Sequence, residues 1–163
     1  PNEMTELSHG PWYYQQIELG FNYRMTELQA ALGLSRLKQL DSFVSIRNDI
    51  AETYNHAFIN SEVVHLTQSS NCYSSYHLYI VRLTQCNPAK QKSVITSMRE
   101  HGIIAHLHYI PVHLQPYYQE MGFSKGDFPN AENYYKQAVT IPLHPAMSAD
   151  EQKYVINTLI GLV

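Results

Sequence analysis

The sequence predicts an α+β chain: an N-terminal helical arm, then a small, mostly antiparallel sheet with helices on one face. Two observations carry that prediction. Residues 26–60 hold two consecutive helix-period runs with no strand signal between them. Residues 61–163 alternate short β-branched or aromatic runs with capped helical ones, in the order β-β-α-β-α-β-α, and such an order needs one sheet covered by helices. A chain of 163 residues suffices for one domain plus an interfacing arm. It buries roughly two-thirds of its unfolded surface and needs no disulfide or metal to fold.

Residues 1–24 are polar and aromatic without a sustained period, and read as irregular. Thr26 opens a helix running to about Leu40. Steps of 100° put Met25, Leu28 and Leu32 on one side, with Ala30, Ala31, Leu34 and Leu37 filling others, so this helix is expected to be buried nearly all round. Asp41 reads as the cap of a second helix over about 42–60, where Phe43, Ile46, Ile50, Tyr54, Ala57 and Phe58 form an apolar stripe opposite Arg47, Asn48, Asp49 and Glu52. VVHL (63–66) and YHLYIVRL (76–83) read as strands joined by a polar stretch. Asn87-Pro88 is an N-cap followed by a first-turn proline, and Gly102 ends that helix. IIAHLHYI (103–110) reads as a strand stopped by Pro111, residues 116–122 and 129–139 as short helices, and TIPL (140–143) as a last strand. Ser148-Ala149-Asp150-Glu151 is a capping box that opens the final helix. The expected division is therefore an arm with two helices over 1–60 and a small α+β domain over 61–163.

Composition narrows the function. Net charge is −3 and no basic run is present, which argues against a nucleic-acid partner. The chain has no apolar stretch of 18 residues and no signal-peptide pattern, so a cytoplasmic protein without a membrane partner is expected. Cys72 and Cys86 stand alone without CxxC spacing, consistent with reduced thiols. The chain opens on Pro1 rather than Met and gives its first helix signal only after residue 24, as the middle of a longer protein would.

Three groups of residues carry candidate chemistry. In HLHYIPVH, His106 and His108 are two apart in a strand-like run and share a face, with His113 beyond a proline turn. They read as a metal site, as ordinary structural histidines, or as hydrogen-bond and acid/base groups of a polar pocket. No HExxH, cysteine pair or placed carboxylate accompanies them, and no metal is assigned. Asn22-Tyr23-Arg24 precedes a helix N-terminus, where free N–H groups, an amide and a bidentate guanidinium suit a phosphate or carboxylate. The plainer alternative has Asn22 capping locally and Arg24 pairing with Glu27. The pairs Tyr13-Tyr14, Tyr117-Tyr118 and Tyr134-Tyr135 suit either a sugar or nucleotide pocket or simple inward packing. GxSxG, GxxxxGK[ST] and GxGxxG are all absent.

Taken together, LGFNYRMTELQAALGLSRLKQLD, YHLYIVRL, HGIIAHLHYIPVHLQPYY and FPNAENYYKQAVTIPLHPAMS resemble, in that order, the C-terminal portion of the DegT/DnrJ/EryC1/StrS family of pyridoxal-phosphate (PLP) sugar-nucleotide aminotransferases. The likeness covers about residues 12–160, and WYYQQIELGFNYR and HYIPVHLQPYY are most similar to the branch that makes the 4-amino sugar of the pseudaminic-acid pathway. The resemblance implies the C-terminal part of a fold-type I aminotransferase, working as a homodimer with shared active sites. It implies transfer of an amino group from glutamate to a 4-keto-6-deoxy sugar on a nucleotide, with UDP expected. Asn22 matches the asparagine that binds the cofactor phosphate of the neighbouring subunit, and Arg24 an arginine close to the same site. His108 matches a histidine facing the sugar-nucleotide pocket, with Tyr109 and His113 in the same loop. The family's Schiff-base lysine belongs to a segment that precedes these motifs, and Lys38, Lys90, Lys92, Lys125, Lys136 and Lys153 do not match it. No catalytic residue is therefore assigned here, and the chain alone is expected to be inactive. Two other readings stay open: a PLP-dependent sugar dehydratase on the same scaffold, and a non-catalytic binding or assembly module.

Overall fold

The structure is a computed structural model that describes residues 13, 15, 16, 18–21, 23–84 and 86–163. It divides into two compact units, Pro1–Gln39 and Leu40–Val163. The first contains helix α1 (Glu27–Leu37), held at its start by a reciprocal capping box between Thr26 and Gln29. None of its residues is buried, and Leu28 is 82% exposed. The expectation that this helix is covered all round is therefore not met. Its periodicity records faces that need cover, which is a different matter from cover supplied by this chain.

The second unit begins with α2 (Leu40–Phe58), followed by β1 (Val63–His65), β2 (Tyr79–Leu83) and α3 (Pro88–Glu100). A single 3-10 turn (Val112–Leu114), α4 (Pro116–Glu120) and α5 (Pro129–Tyr135) precede β3 (Ala138–Ile141) and α6 (Ala149–Leu162). The sheet is antiparallel in the order β1-β2-β3, with Val63 opposite Leu83 and Tyr79 opposite Ile141. The α+β class is as predicted: α6 packs on α2 and α3, α2 packs on β1, and α3 packs on β3. The boundary differs from the 1–60 and 61–163 division. The unit containing the sheet starts at Leu40, and Ile50, Ala51, Tyr54 and Phe58 of α2 join its core. Asp41 lies inside α2 rather than capping it, because the helix starts two residues earlier than predicted, after a turn in which Gln39 N–H donates to the Arg36 carbonyl (3.0 Å).

Alternation gives the sheet two faces. Val81, Val139 and Ile141 point into the core with Met98, Val155 and Leu159. Thr140 and Ile80 are register partners and belong to the opposite face. The predicted strand over 103–110 is reduced to one bridge, His106 with Thr140, and the rest runs alongside without a ladder. Asn87 caps α3 by accepting from the Ala89 and Lys90 N–H groups, and Gly102 takes φ +76° just beyond its end. No helix among the described residues is long and apolar enough to cross a membrane.

Candidate functional site

A cleft of about 370 Å³ opens at one end of the sheet, where β2 begins and β3 ends. Four histidines line it: His77 just before β2, His106 and His108 from the bridged segment, and His144 shortly after β3. Local forces bring them there. Gly102 turns the chain out of α3, and Ile103 N–H donates back to the Met98 carbonyl (2.9 Å). Arg99 Nε then donates to the Ala105 carbonyl (2.9 Å), and His106 exchanges two backbone hydrogen bonds with Thr140 (3.0 and 2.7 Å). This lays His106 and His108 against the outer face of β3.

Within the cleft, the His106 and His108 rings lie 4.8 Å apart, and His108 Nδ1 is 2.9 Å from Thr140 Oγ1. Burial first, and then neighbouring His106 and His77, pushes the His108 imidazole below its ordinary value. His108 thus stays neutral at a pH where a free histidine is already charging. A neutral imidazole both donates and accepts, which suits hydroxyl groups or phosphate oxygens. Among the described residues, no carboxylate, lysine or arginine lines the cleft. Among the described residues, no group of three or more His, Cys, Asp or Glu side chains is placed to hold a metal ion.

Tyr109 is exposed, joined to His108 by a cis peptide, and its ring meets the His108 ring edge-on. His113 is buried in the 3-10 turn, and its Nε2 lies 3.0 Å from Glu132 Oε1. The same Glu132 oxygen accepts from the Gly126 N–H (2.6 Å), and Phe128 packs on the imidazole. His113 therefore fastens the segment between α4 and α5 and contributes nothing to the lining of the cleft. Asn22 lies outside the described residues. Arg24 is exposed and, among the described residues, pairs with no carboxylate, so the plainer Arg24–Glu27 pairing does not form. His77, Thr140 and His144 escaped the sequence reading. For the two histidines the count of nine was the only signal, and Thr140 had none, because the residues meet only through strand pairing.

The clasp around Glu132 gives a pH prediction. The Gly126 N–H chiefly, and His113 next, hold its carboxyl below the usual glutamate range. A depressed folded value contributes stability above the unfolded value of about 4.3, and that contribution is lost as pH falls through the folded one. Glu132→Gln should therefore melt a few degrees below wild type at neutral pH, and the gap should close as pH falls below the ordinary glutamate range. Calorimetric scans of both proteins across that range check this, and a gap that persists unchanged in acid would refute the clasp.

Comparison with known proteins follows the same lines. The model of the DegT/DnrJ/EryC1/StrS aminotransferase family matches residues 5–160. The spore coat polysaccharide biosynthesis protein SpsC of Bacillus subtilis is 38% identical over 161 residues, covering 96% of this chain and 41% of its own length. A UDP-4-amino-4,6-dideoxy-N-acetyl-beta-L-altrosamine transaminase of Campylobacter jejuni is 30% identical over 158 residues, covering 93% of this chain and 40% of its own. Among solved structures, the apo form of the putative sugar aminotransferase Spr1654 from Streptococcus pneumoniae superposes with a TM-score of 0.87 at 29% identity, over 96% of this chain and 39% of that one. Its PLP form superposes with a TM-score of 0.86. The chain thus spans about two-fifths of the length of these relatives.

Proposed function

Because the chain belongs to the DegT/DnrJ/EryC1/StrS aminotransferase family, we propose that it forms part of a PLP-dependent enzyme that moves an amino group from glutamate to a 4-keto-6-deoxy sugar carried on a nucleotide, with UDP as the carrier. The observation that supports this substrate class best is the cleft. Four imidazoles and Thr140, with no carboxylate among the described residues, suit a ligand rich in hydroxyl and phosphate oxygens. The activity is that of the intact protein, since none of this chain's lysines matches the cofactor anchor.

PLP, when bound, supplies the electron sink that lets an amino group move between carbons. The exposed guanidinium of Arg24 fits an anionic group, and we assign it to the substrate side of the shared site. Asn22 is assigned to the cofactor phosphate of the neighbouring subunit in a homodimer. His108, kept neutral and steadied by Thr140, orients the sugar by hydrogen bonding. Tyr109 adds an exposed phenol at the same edge. His113 acts indirectly, keeping the α4–α5 segment in place through Glu132.

The test uses the intact protein with glutamate and a UDP-linked 4-keto-6-deoxy-N-acetylhexosamine. The expected result is PLP absorbance and release of 2-oxoglutarate in step with aminated sugar. PLP absorbance with loss of water from the sugar, and no 2-oxoglutarate, would point instead to a dehydratase. A protein without PLP absorbance would leave a binding or assembly module.

A further inference from the structure

Helix α2 reaches both walls of the histidine cleft. Arg47 Nη1 donates to the carbonyls of Tyr76 (2.9 Å), His77 (3.4 Å) and Leu143 (3.2 Å). The first two acceptors belong to the wall that carries His77, and the third immediately precedes His144. Two turns further along, the buried Tyr54 hydroxyl donates to the Pro142 carbonyl (2.8 Å). On the first wall, Asn48 Nδ2 also donates to the Ser74 carbonyl (3.0 Å).

Tyr76 stands at φ +42°, a left-handed backbone that a bulky aromatic residue rarely adopts. Such a conformation persists only where the surroundings over-determine it, and it clusters at ligand sites. The guanidinium that holds it is half-buried and, among the described residues, faces no carboxylate. Its charge is answered by carbonyl dipoles from two loops that lie more than sixty residues apart in sequence. One cation thus fixes the backbone next to His77 and next to His144 at the same time.

We propose that Arg47 is a positioning residue for the histidine cleft: it sets the separation of the His77 and His144 walls that a nucleotide-sugar ligand requires. The inference rests on the reading of this cleft as part of a nucleotide-sugar site. Arg47 touches no ligand in this scheme and acts through the backbone of its neighbours. Lysine, with a single ammonium in place of a planar fork, can hold one wall but cannot reproduce the shared geometry.

The experiment compares the intact wild type with Arg47→Ala, Arg47→Lys and the core control Val94→Ala, using UDP-N-acetylglucosamine as the probe in calorimetric titration. Val94 is buried in α3 and does not line the cleft. The expected result is a loss of affinity of about tenfold for Arg47→Ala, a smaller loss for Arg47→Lys, and little change for Val94→Ala despite its lower Tm. The imidazole NMR signals of His77 and His144 should move in both Arg47 variants and stay in place in Val94→Ala. If Arg47→Ala does not fold, Arg47→Lys alone decides, by the same binding and imidazole readouts. Probe affinity in the Arg47 variants that matches Val94→Ala, with unmoved imidazoles, overturns the inference alone. A wild type that does not bind the probe overturns the reading of the cleft and this inference with it.

Discussion

Tyr54→Ala is expected to destabilise the Leu40–Val163 unit by about 3–5 kcal/mol, a fall in Tm of roughly 10–20 °C. Tyr54 is fully buried in α2, with its ring 5.9 Å from Phe58 and 4.9 Å from Tyr79. Three aromatic rings therefore join α2 to the start of β2, and truncation leaves a void against two of them. The hydroxyl adds a second role by donating to the Pro142 carbonyl, which sits at the end of β3 where the strand runs into the cleft. Burial pushes the phenol well above its ordinary range, so it stays a donor at any working pH. Tyr54→Phe keeps the packing and orphans that carbonyl, and should cost only about 1–2 kcal/mol. Urea unfolding followed by circular dichroism separates the two variants. Equal losses would mean that the hydroxyl, rather than the ring, carries the contribution, and would contradict the packing argument.

What the sequence revealed and what it hid divide along the range of the forces involved. Caps were legible because each is settled within four residues. Thr26 at the start of its helix, Asn87 with Pro88, and Ser148 with Glu151 all take the predicted roles. The helix stripe of α2 was legible too, since Ile50, Tyr54 and Phe58 repeat at helical spacing. The run at 103–110 misled because strand identity depends on a partner. Its β-branched and histidine-rich pattern finds Thr140 alone, and a single bridge forms. The cleft was only half visible. His106 and His108 declared themselves by spacing, whereas His77 and His144 arrive from positions 67 residues apart through the pairing of Tyr79 with Ile141. Arg47 was read as one residue of a wet helix face, and its three carbonyl acceptors lie 29 to 96 residues away. His113 was placed in the same loop as His108 and on the same ligand. Burial against Glu132 gives it a different task, and only tertiary structure distinguishes the two.

The 163-residue chain on its own is expected to self-associate through α1, and Leu28→Glu combined with Leu32→Glu should release it. Leu28 and Leu32 on one side of the helix, and Leu34 and Leu37 on others, are all more than 60% exposed, and exposed Met25 falls on the side of Leu28 and Leu32. Large apolar side chains left bare on several faces of one helix are rare on a monomer and drive association. Each leucine that becomes buried contributes about 1.5–3 kcal/mol, enough for a handful of them to offset the entropy of pairing. The substitutions leave α1 itself intact, because the Thr26–Gln29 capping box is untouched and glutamate is a good helix former. Gly33 supplies an independent reading of the same surface. A Cβ added there would meet nothing within 4 Å, so Gly33→Ala should strengthen an isolated helix by about 1 kcal/mol. If a second backbone approaches closely at that point in the associated form, the same methyl group weakens association while helicity rises. Sedimentation velocity over a concentration series, with circular dichroism on the same samples, measures both effects. A wild-type chain that stays monomeric throughout the micromolar range, with α1 amides protected from exchange, would show that the exposed leucines find their cover within a single molecule, and the prediction would fail.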